Sequence, residues 1–363
     1  MGIEHLEISH LRNLQHVSLQ PASQLNLIIG KNGSGKTSLL EAVHVLGTGR
    51  SFRTSNSSKL ITFGETQFVV VGKLSHDNYH FPIGIRKSKT ELQIRINNEP
   101  AKSSSQLAEQ LAVQIINPDA HKLFEEGPRH RRRFIEWGVF HVEPQYFPLW
   151  HECRHILKQR NAALKQKVPP KELQHWDDLL IEKAERIDQL RRDYLESLQQ
   201  YLAPLLVKIE ALPPATFTLD SGWPKEVSLE EALAGSRHLD YEKGFTRYGP
   251  HRLDLRIKVQ GINAKEVVSR GQQKIFTALM KIAQVELLRD KRPHSNIALL
   301  VDDLPAELDE HFRVALLRLI YEIKAQVFVT ATDQSLLPKY TSSEGTSQMF
   351  HVEHGQIQPM ALD

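Results

Sequence analysis

Apolar residues recur along the chain in two rhythms, and the change between them divides it. Ile3, Leu6 and Ile8 alternate loosely with polar neighbours, the pattern of a half-buried strand over residues 3–9. Leu-Asn-Leu-Ile-Ile at 25–29 predicts a second strand that stops at Gly30. Leu39, Leu40, Val43 and Leu46 then step at helical spacing, predicting a helix over 38–46. Segments 67–74, 80–86 and 92–96 alternate again, with turn residues between them, and predict an antiparallel patch. From about 148 to 209 the rhythm is helical, carried in its second half by Trp176, Leu179, Leu180, Ile187, Leu190, Tyr194, Leu198, Tyr201 and Leu202. Pro169 and Pro170 interrupt it; two prolines cannot sit inside a helix, so they mark the turn of a helical hairpin. That hairpin either packs on itself as a bundle or projects as a short arm.

A Pro- and Gly-containing stretch, 212–224, leads back to strand-like sequence at 253–259. A helix from Ser269 to about Arg289, a strand at 297–301, a helix near 310–324 and a strand at 326–330 follow. Strands alternating with helices imply a parallel sheet. The two α/β portions, 1–125 and 240–363, therefore read as halves of one domain, with 126–239 inserted as a helical domain.

Composition adds little. A chain of 363 residues can bury a large core in two to three domains. Forty-six basic side chains against 43 acidic give a net charge of +3, too mild to imply a polyanionic partner by itself. The single Cys153 excludes an internal disulfide framework and fits a reducing compartment. The first residues lack the basic and apolar regions of a secretory signal, and no window approaches the roughly 20 apolar residues that span a bilayer. The expectation is a soluble cytoplasmic protein with no membrane role.

The candidate chemistry is more specific. Gly30-Lys31-Asn32-Gly33-Ser34-Gly35-Lys36-Thr37, followed by Ser38, matches the phosphate-binding P-loop, with the apolar strand before it and amphipathic helix after it that the motif needs. Gly30, Gly33 and Gly35 permit positive φ and let backbone N–H groups approach phosphate. The helix start favours the same anion, Lys36 supplies a charge to the β- and γ-phosphates, and the Thr37 hydroxyl is a ligand for Mg²⁺. Ala298-Leu299-Leu300-Val301 ends in Asp302 and Asp303. With a P-loop present, Asp302 is expected to hold Mg²⁺ through water, and Asp303 to orient or deprotonate an attacking water.

Ser269-Arg270-Gly271-Gln272 opens the long helix 33 residues before Asp302. Ser269 alone reads as a helix cap. After a P-loop and before an acidic strand, it resembles the signature motif of ABC ATPases, which grips the γ-phosphate of a nucleotide held by the opposite subunit. That resemblance implies an ATP-dependent homodimer. It also makes Gln114 the Q-loop residue sensing Mg²⁺ and water, Glu307-Leu308-Asp309 the D-loop, and Thr332 the position of the switch histidine in transport ATPases.

About 230 residues separate Lys36 from Ser269, far more than a transport ATPase needs. His10-Leu11-Arg12-Asn13-Leu14, Gly49-Arg50-Ser51-Phe52-Arg53, Gly127-Pro128 with Arg132-Arg133-Phe134-Ile135-Glu136-Trp137, and Tyr248-Gly249-Pro250-His251-Arg252 resemble the RecF family of recombination mediators, relatives of SMC-type repair ATPases. The resemblance runs from end to end. It implies an α/β ABC-type ATPase head with a mixed sheet and an inserted helical arm, ATP and Mg²⁺ as cofactors, and Arg12 and Asn13 beside the nucleotide. It further implies a clamp on gapped duplex and single-strand/duplex junctions that helps RecO- and RecR-type mediators load RecA. Fork recovery, the SOS response, slow DNA-stimulated ATP hydrolysis and a nucleoid-associated location complete the expectation. Three positions depart from the family pattern: Leu253 for an acidic residue, Ala306 for the D-loop Ser, and Val268 for Leu.

Arg129-His130-Arg131-Arg132-Arg133 is the densest basic run. It is either a solvated or internally paired helix face or a phosphate-contacting one. Arg50, Arg53, Arg129, Arg131 and Arg132 are the DNA candidates, with Lys158, Arg160, Lys165 and Lys167 on the helical hairpin. No groove-reading motif is visible, so backbone and shape are the expected features read. The eighteen histidines form no recognised metal spacing. A transporter's nucleotide-binding subunit and a scaffold holding ATP structurally are the competing readings; the inserted helical segment fits the first of these badly.

Overall fold

The computed structural model describes residues 2–76, 79–209, 212–303, 308–337 and 346–360. The chain forms two compact units: Met1–Ala120, Val207–Ile209 and Arg270–Asp363 make the first, His121–Leu206 and Glu210–Ser269 the second.

The first unit holds two six-stranded sheets. One is antiparallel, built from β1 (Gly2–Leu11), β2 (Leu14–Leu19), β4 (Gln67–His76), β5 (Tyr79–Ser88), β6 (Leu92–Ile96) and β7 (Glu99–Pro100), in the order β2-β1-β4-β5-β6-β7. The other contains β3 (Leu25–Ile29), β8 (Leu111–Ile116), β12 (Asn296–Val301), β13 (Gln326–Ala331), β14 (Ser347–Glu353) and β15 (Gln356–Met360), ordered β15-β14-β3-β13-β12-β8. All its neighbours run parallel except β15, so the sheet is mixed. Its central strands read as mostly apolar runs because both faces are covered, interrupted by Asn26 in β3 and Thr330 in β13; β3, β12 and β13 are buried throughout. The helices are α1 (Lys36–Thr48), α2 (Ser105–Gln110), α9 (Arg270–Lys291) and α10 (Glu310–Glu322). One apolar core joins Leu6, Ile8, Phe68 and Val70 to Val43 and Leu46 of α1 and to Leu300, Phe328 and Phe350.

Register positions the site. Val301 lies beside Ile116 and Val329, and Ala331 beside Ile29, so β3, β8, β12 and β13 all end along one edge. Ligands of open parallel sheets collect at that carboxyl edge.

The second unit comprises α3 (Lys122–Glu125), α4 (Pro128–Val142), α5 (Tyr146–Gln166), α6 (Pro170–Val207, entering the first unit at its last residue), β9 (Ala215–Asp220), α7 (Leu229–Lys243), β10 (Asp254–Val259), β11 (Ile262–Asn263) and α8 (Ala264–Val267). The α5–α6 hairpin turns at the two prolines, with Lys167 at φ 54° closing α5. Its inner face carries a buried ionic cluster. Arg160, fully buried, donates to Asp177 at 2.6 Å, to Asp240 of α7 at 2.8 Å and to the Thr246 hydroxyl at 2.8 Å, while Arg237 reaches Asp177 at 3.0 Å. Arg191, also fully buried, donates to the Tyr146 hydroxyl and to the Pro250 carbonyl.

These bonds move the boundaries from those expected. The break at 125/126 lies at 120/121, and that at 239/240 would cut α7 in two; the division falls at 269/270. The strand read at 253–259 pairs with β9 and β11 in a three-stranded sheet of the second unit. Strands β2, β9, β14 and β15 and helix α7 were not among the elements expected from the sequence.

Candidate functional site

The P-loop joins β3 to α1. Gly33 and Gly35 have φ of 78° and 125°, in the region that favours glycine. Gly30 is there for a different reason: a Cβ would lie 2.3 Å from the Val352 carbonyl oxygen of β14. Lys31, Asn32 and Gly33 are exposed, whereas Ser34, Gly35, Lys36 and Ser38 are buried. The Lys36 ammonium donates to the carbonyls of Gly30 at 2.8 Å and Lys31 at 3.2 Å and lies 3.9 Å from the Asp303 carboxylate. Asn13 braces the loop from outside, donating to the Ser34 carbonyl at 3.1 Å and accepting from the Ser38 hydroxyl at 2.8 Å.

Arg12 lies one layer further back. Its guanidinium makes a two-pronged pair with the fully buried Glu41 of α1 at 2.8 and 3.0 Å, and a third bond to the Lys59 carbonyl. Glu41 also accepts from the Ser51 hydroxyl. Arg12 therefore positions Asn13 and ties down the 49–53 segment, with its own charge committed to Glu41. Nothing in the local sequence marked Glu41.

Across the sheet edge, the Thr37 hydroxyl donates to Asp302 at 3.0 Å. Thr330 of β13, buried beside it, donates to the same Asp302 oxygen at 3.1 Å and accepts from the Asp303 N–H at 2.8 Å. Sequence reasoning passed over Thr330 as a strand residue. Burial pushes the Asp302 carboxyl above its usual range, opposed by the Thr37 and Thr330 hydroxyls. Asp303 takes φ 44°, uncommon for a side chain larger than glycine, and its carboxylate stays partly exposed facing Lys36. Hydroxyl and carboxylate oxygens suit Mg²⁺, which binds few protein ligands and keeps phosphate oxygens and water. Among the described residues no group of three or more His, Cys, Asp or Glu could hold a metal ion by itself.

Gln114 does not join this arrangement. It sits inside β8 beside Leu299, three residues short of Asp302, or about 10 Å at the rise of a strand. Its amide donates to Gln284 of α9 at 2.7 Å in the buried interior. The polar residue at the end of β8 is Asn117, following Ile116, whose carbonyl accepts from the Asp302 N–H. Ser269 and Arg270 are exposed where the 22-residue α9 begins, with Gly271 and Gln272 half-buried in its first turn. Asp309 caps α10, accepting from the Phe312 N–H; Glu307 and Ala306 lie outside the described residues. Thr332 follows β13 directly, at the same edge as the P-loop.

The basic candidates separate sharply. Arg50, Arg53 and Arg129 are exposed. Arg131 forms a two-pronged pair with Asp254 at 2.7 and 3.0 Å, and Arg132 donates to the Leu253 carbonyl. Leu253 is fully buried, and Asp254, one residue on, supplies the carboxylate. Arg160 is not a DNA contact at all, being sealed in its ionic cluster.

A family model described as the RecF/RecN/SMC N terminal domain matches residues 2–358. Proteins named DNA replication and repair protein RecF, from Pseudomonas aeruginosa (strain LESB58) and Pseudomonas syringae pv. syringae (strain B728a), are 41% and 40% identical over 360 residues, spanning 98% of this chain and 97% and 98% of theirs. The solved structure of the recombination mediator protein RecF with ATP in the RecFOR pathway has a TM-score of 0.86 and 28% identity, covering 99% of this chain and 98% of that one. The Smc head bound to the C-winged helix domain of ScpA has a TM-score of 0.59 and 16% identity over 100% and 98% of the two chains. What is shared with both is a mixed α/β ATPase-head fold.

Proposed function

The chain belongs to the RecF family within the RecF/RecN/SMC ATPases, and on that premise we propose that it is an ATP-dependent DNA clamp of replication and repair. The observation that carries the proposal is the meeting of Thr37 and Asp302 at 3.0 Å, with Asp303 3.9 Å from Lys36, in a chain whose α9 opens on Ser269-Arg270-Gly271-Gln272. The backbone N–H groups of Gly33 to Thr37 and the start of α1 receive the β- and γ-phosphates, and Lys36 neutralises them. Thr37 and Asp302 are the residues that would hold Mg²⁺, which when bound offsets charge on the transferred phosphate. Thr330 fixes Asp302 and Asp303 relative to each other. Asp303 orients the attacking water and accepts its proton.

The exposed start of α9 provides the remaining anion contact, to nucleotide held by a second copy of the chain. ATP thereby closes two copies into a homodimer. The clamp binds gapped duplex and single-strand/duplex junctions through exposed cations including Arg50, Arg53 and Arg129, with RecO- and RecR-type mediators as partners in loading RecA. Weak DNA-stimulated hydrolysis resets it. Its setting is the cytoplasm, near the nucleoid, in fork recovery and the SOS response; among the described residues no helix is long and apolar enough to cross a membrane.

Lys36→Arg tests the assignment. The variant is expected to retain part of its ATP binding, measured with a fluorescent ATP analogue, and to lose most of its turnover. ATP-dependent retention of duplex DNA is expected to fall with it. Hydrolysis near the parent rate would remove the phosphate loop from the mechanism.

A further inference from the structure

The second unit carries an open cleft of about 910 Å³, lined by Trp223, Lys225, Phe245, Arg247, Tyr248 and Arg252 among others. A neighbouring one of about 540 Å³ is lined by Trp150, Arg154, Lys158, Asn161 and Lys165, with His251 contributed by the same loop that walls the first. The two adjoin: a Cβ added at Gly244 would touch the Lys165 side chain at 3.0 Å, and Lys243 and Phe245 on either side of Gly244 line the larger cleft.

Three features separate this surface from an ordinary solvated face. The first is charge. Among the described residues, Arg154, Lys158, Lys165, Lys225, Arg247 and Arg252 are exposed, and no carboxylate lies in ion-pair contact with any of them. The lining carboxylate, Asp220, is already engaged by Arg256 at 2.9 Å, and Lys243 is paired with Glu242.

The second feature is aromatic surface beside that charge. Phe245 is 41% exposed, unusual for a phenylalanine, and the guanidinium of Arg252 lies over its ring, as that of Arg247 lies over Tyr248.

The third is rigidity. Gly222, at φ 98°, crosses the loop so closely that a Cβ would meet the Gly249 carbonyl oxygen at 2.3 Å. Beneath, Asp240 accepts from the Arg247 N–H, Asn161 from the Thr246 N–H, and Arg191 donates to the Pro250 carbonyl. The buried ions thus fix the loop backbone and leave its aromatic and cationic side chains facing outward.

Unpaired cations that follow a backbone, alternating with aromatic faces on which bases stack, are what sequence-tolerant single-strand binding requires. We propose that this joined cleft binds single-stranded nucleic acid, its phosphates on Lys158, Lys165, Lys225 and Arg247 and a base on Phe245. The site lies in one unit of one chain and needs neither ATP nor a second copy, so it goes beyond the clamp.

Fluorescence anisotropy with labelled oligothymidylate of twenty nucleotides, without ATP, reads it directly. Phe245→Ala, at a surface position, is expected to weaken binding about tenfold, the effect of losing one stacked base. Arg247→Ala is expected to make the slope of log affinity against log salt shallower by about 0.7. ATP-dependent retention of a fully duplex probe is expected to be unchanged in both. Conversely, Lys36→Arg is expected to lose that retention while binding oligothymidylate normally, so failure of the clamp and failure of this site are distinguishable. Parent-like affinity in Phe245→Ala and in Lys158→Glu would overturn the proposal. So would displacement of the oligonucleotide by oligoglutamate at equal charge concentration, which would make the cleft a dock for an acidic peptide.

Discussion

Thr330 supports, from inside β13, the two carboxylates to which the proposed chemistry falls. Its hydroxyl holds the Asp302 side chain and the Asp303 backbone together. Thr330→Val keeps the size but leaves the Asp303 N–H without its acceptor, so the fold is expected to survive with a modest loss of stability while ATP turnover falls roughly 10- to 100-fold, the usual effect of removing a positioning hydrogen bond at a metal site. Gln114→Leu is expected to do the reverse. It takes the Gln114 amide donor from the Gln284 side-chain oxygen and lowers the melting temperature, consistent with roughly 0.5–1.5 kcal/mol for a lost hydrogen bond, and leaves turnover per folded molecule unchanged. Steady-state rates and thermal melts on the two variants separate site from core. Burial also lowers the pKa of His44, and likewise that of His251, to about 4, against 6.5 for a free ring. Between these values the unfolded chain binds the protons and the folded one does not, so stability is expected to fall as pH drops from 6.5 to 4. His44→Gln and His251→Gln are expected to flatten melting temperature against pH across that window; an unchanged slope in both would contradict the assignment.

Elements were legible where one short segment carries the whole signal. The P-loop and the strand ending in Asp302 could be read directly because their chemistry needs contiguous residues with a strand on one side and a helix on the other. Gln114 was misplaced because the apolar run Val113 to Ile116 hides where β8 ends. The pairing of Arg12 with Glu41 was not legible because the two lie 29 residues apart. The second unit hid its boundaries for the same reason: Arg160 and Asp240 are 80 residues apart, and contacts such as theirs and that of Arg237 with Asp177 assign α7 to the helical hairpin. That cluster has a measurable consequence. Arg160→Leu leaves Asp240 buried without its charge partner and Asp177 with Arg237 alone, and is expected to destabilise the protein by about 3–5 kcal/mol in urea unfolding. Lys158→Glu, two residues away on the exposed side of α5, is expected to cost almost nothing.

At the scale of the molecule, a net charge of +3 conceals an uneven distribution. Some arginines that looked like DNA contacts are committed to carboxylates of the fold, Arg131 to Asp254 and the buried Arg160 to Asp177 and Asp240, while exposed cations gather where the sequence showed no run at all. The ATPase head carries its phosphate loop and acidic strand on one sheet edge and an exposed Ser269-Arg270 at the start of α9. A clamp uses the second on another copy's nucleotide. Sedimentation velocity of Asp303→Asn, which is expected to bind ATP without turning it over, tests this most directly, with and without Mg-ATP and a gapped duplex. The expected result is a monomer without nucleotide and a dimer with it, returned to monomer by Ser269→Arg. A single sedimenting subunit under every condition, at protein concentrations well above those of the ATPase assay, would contradict it.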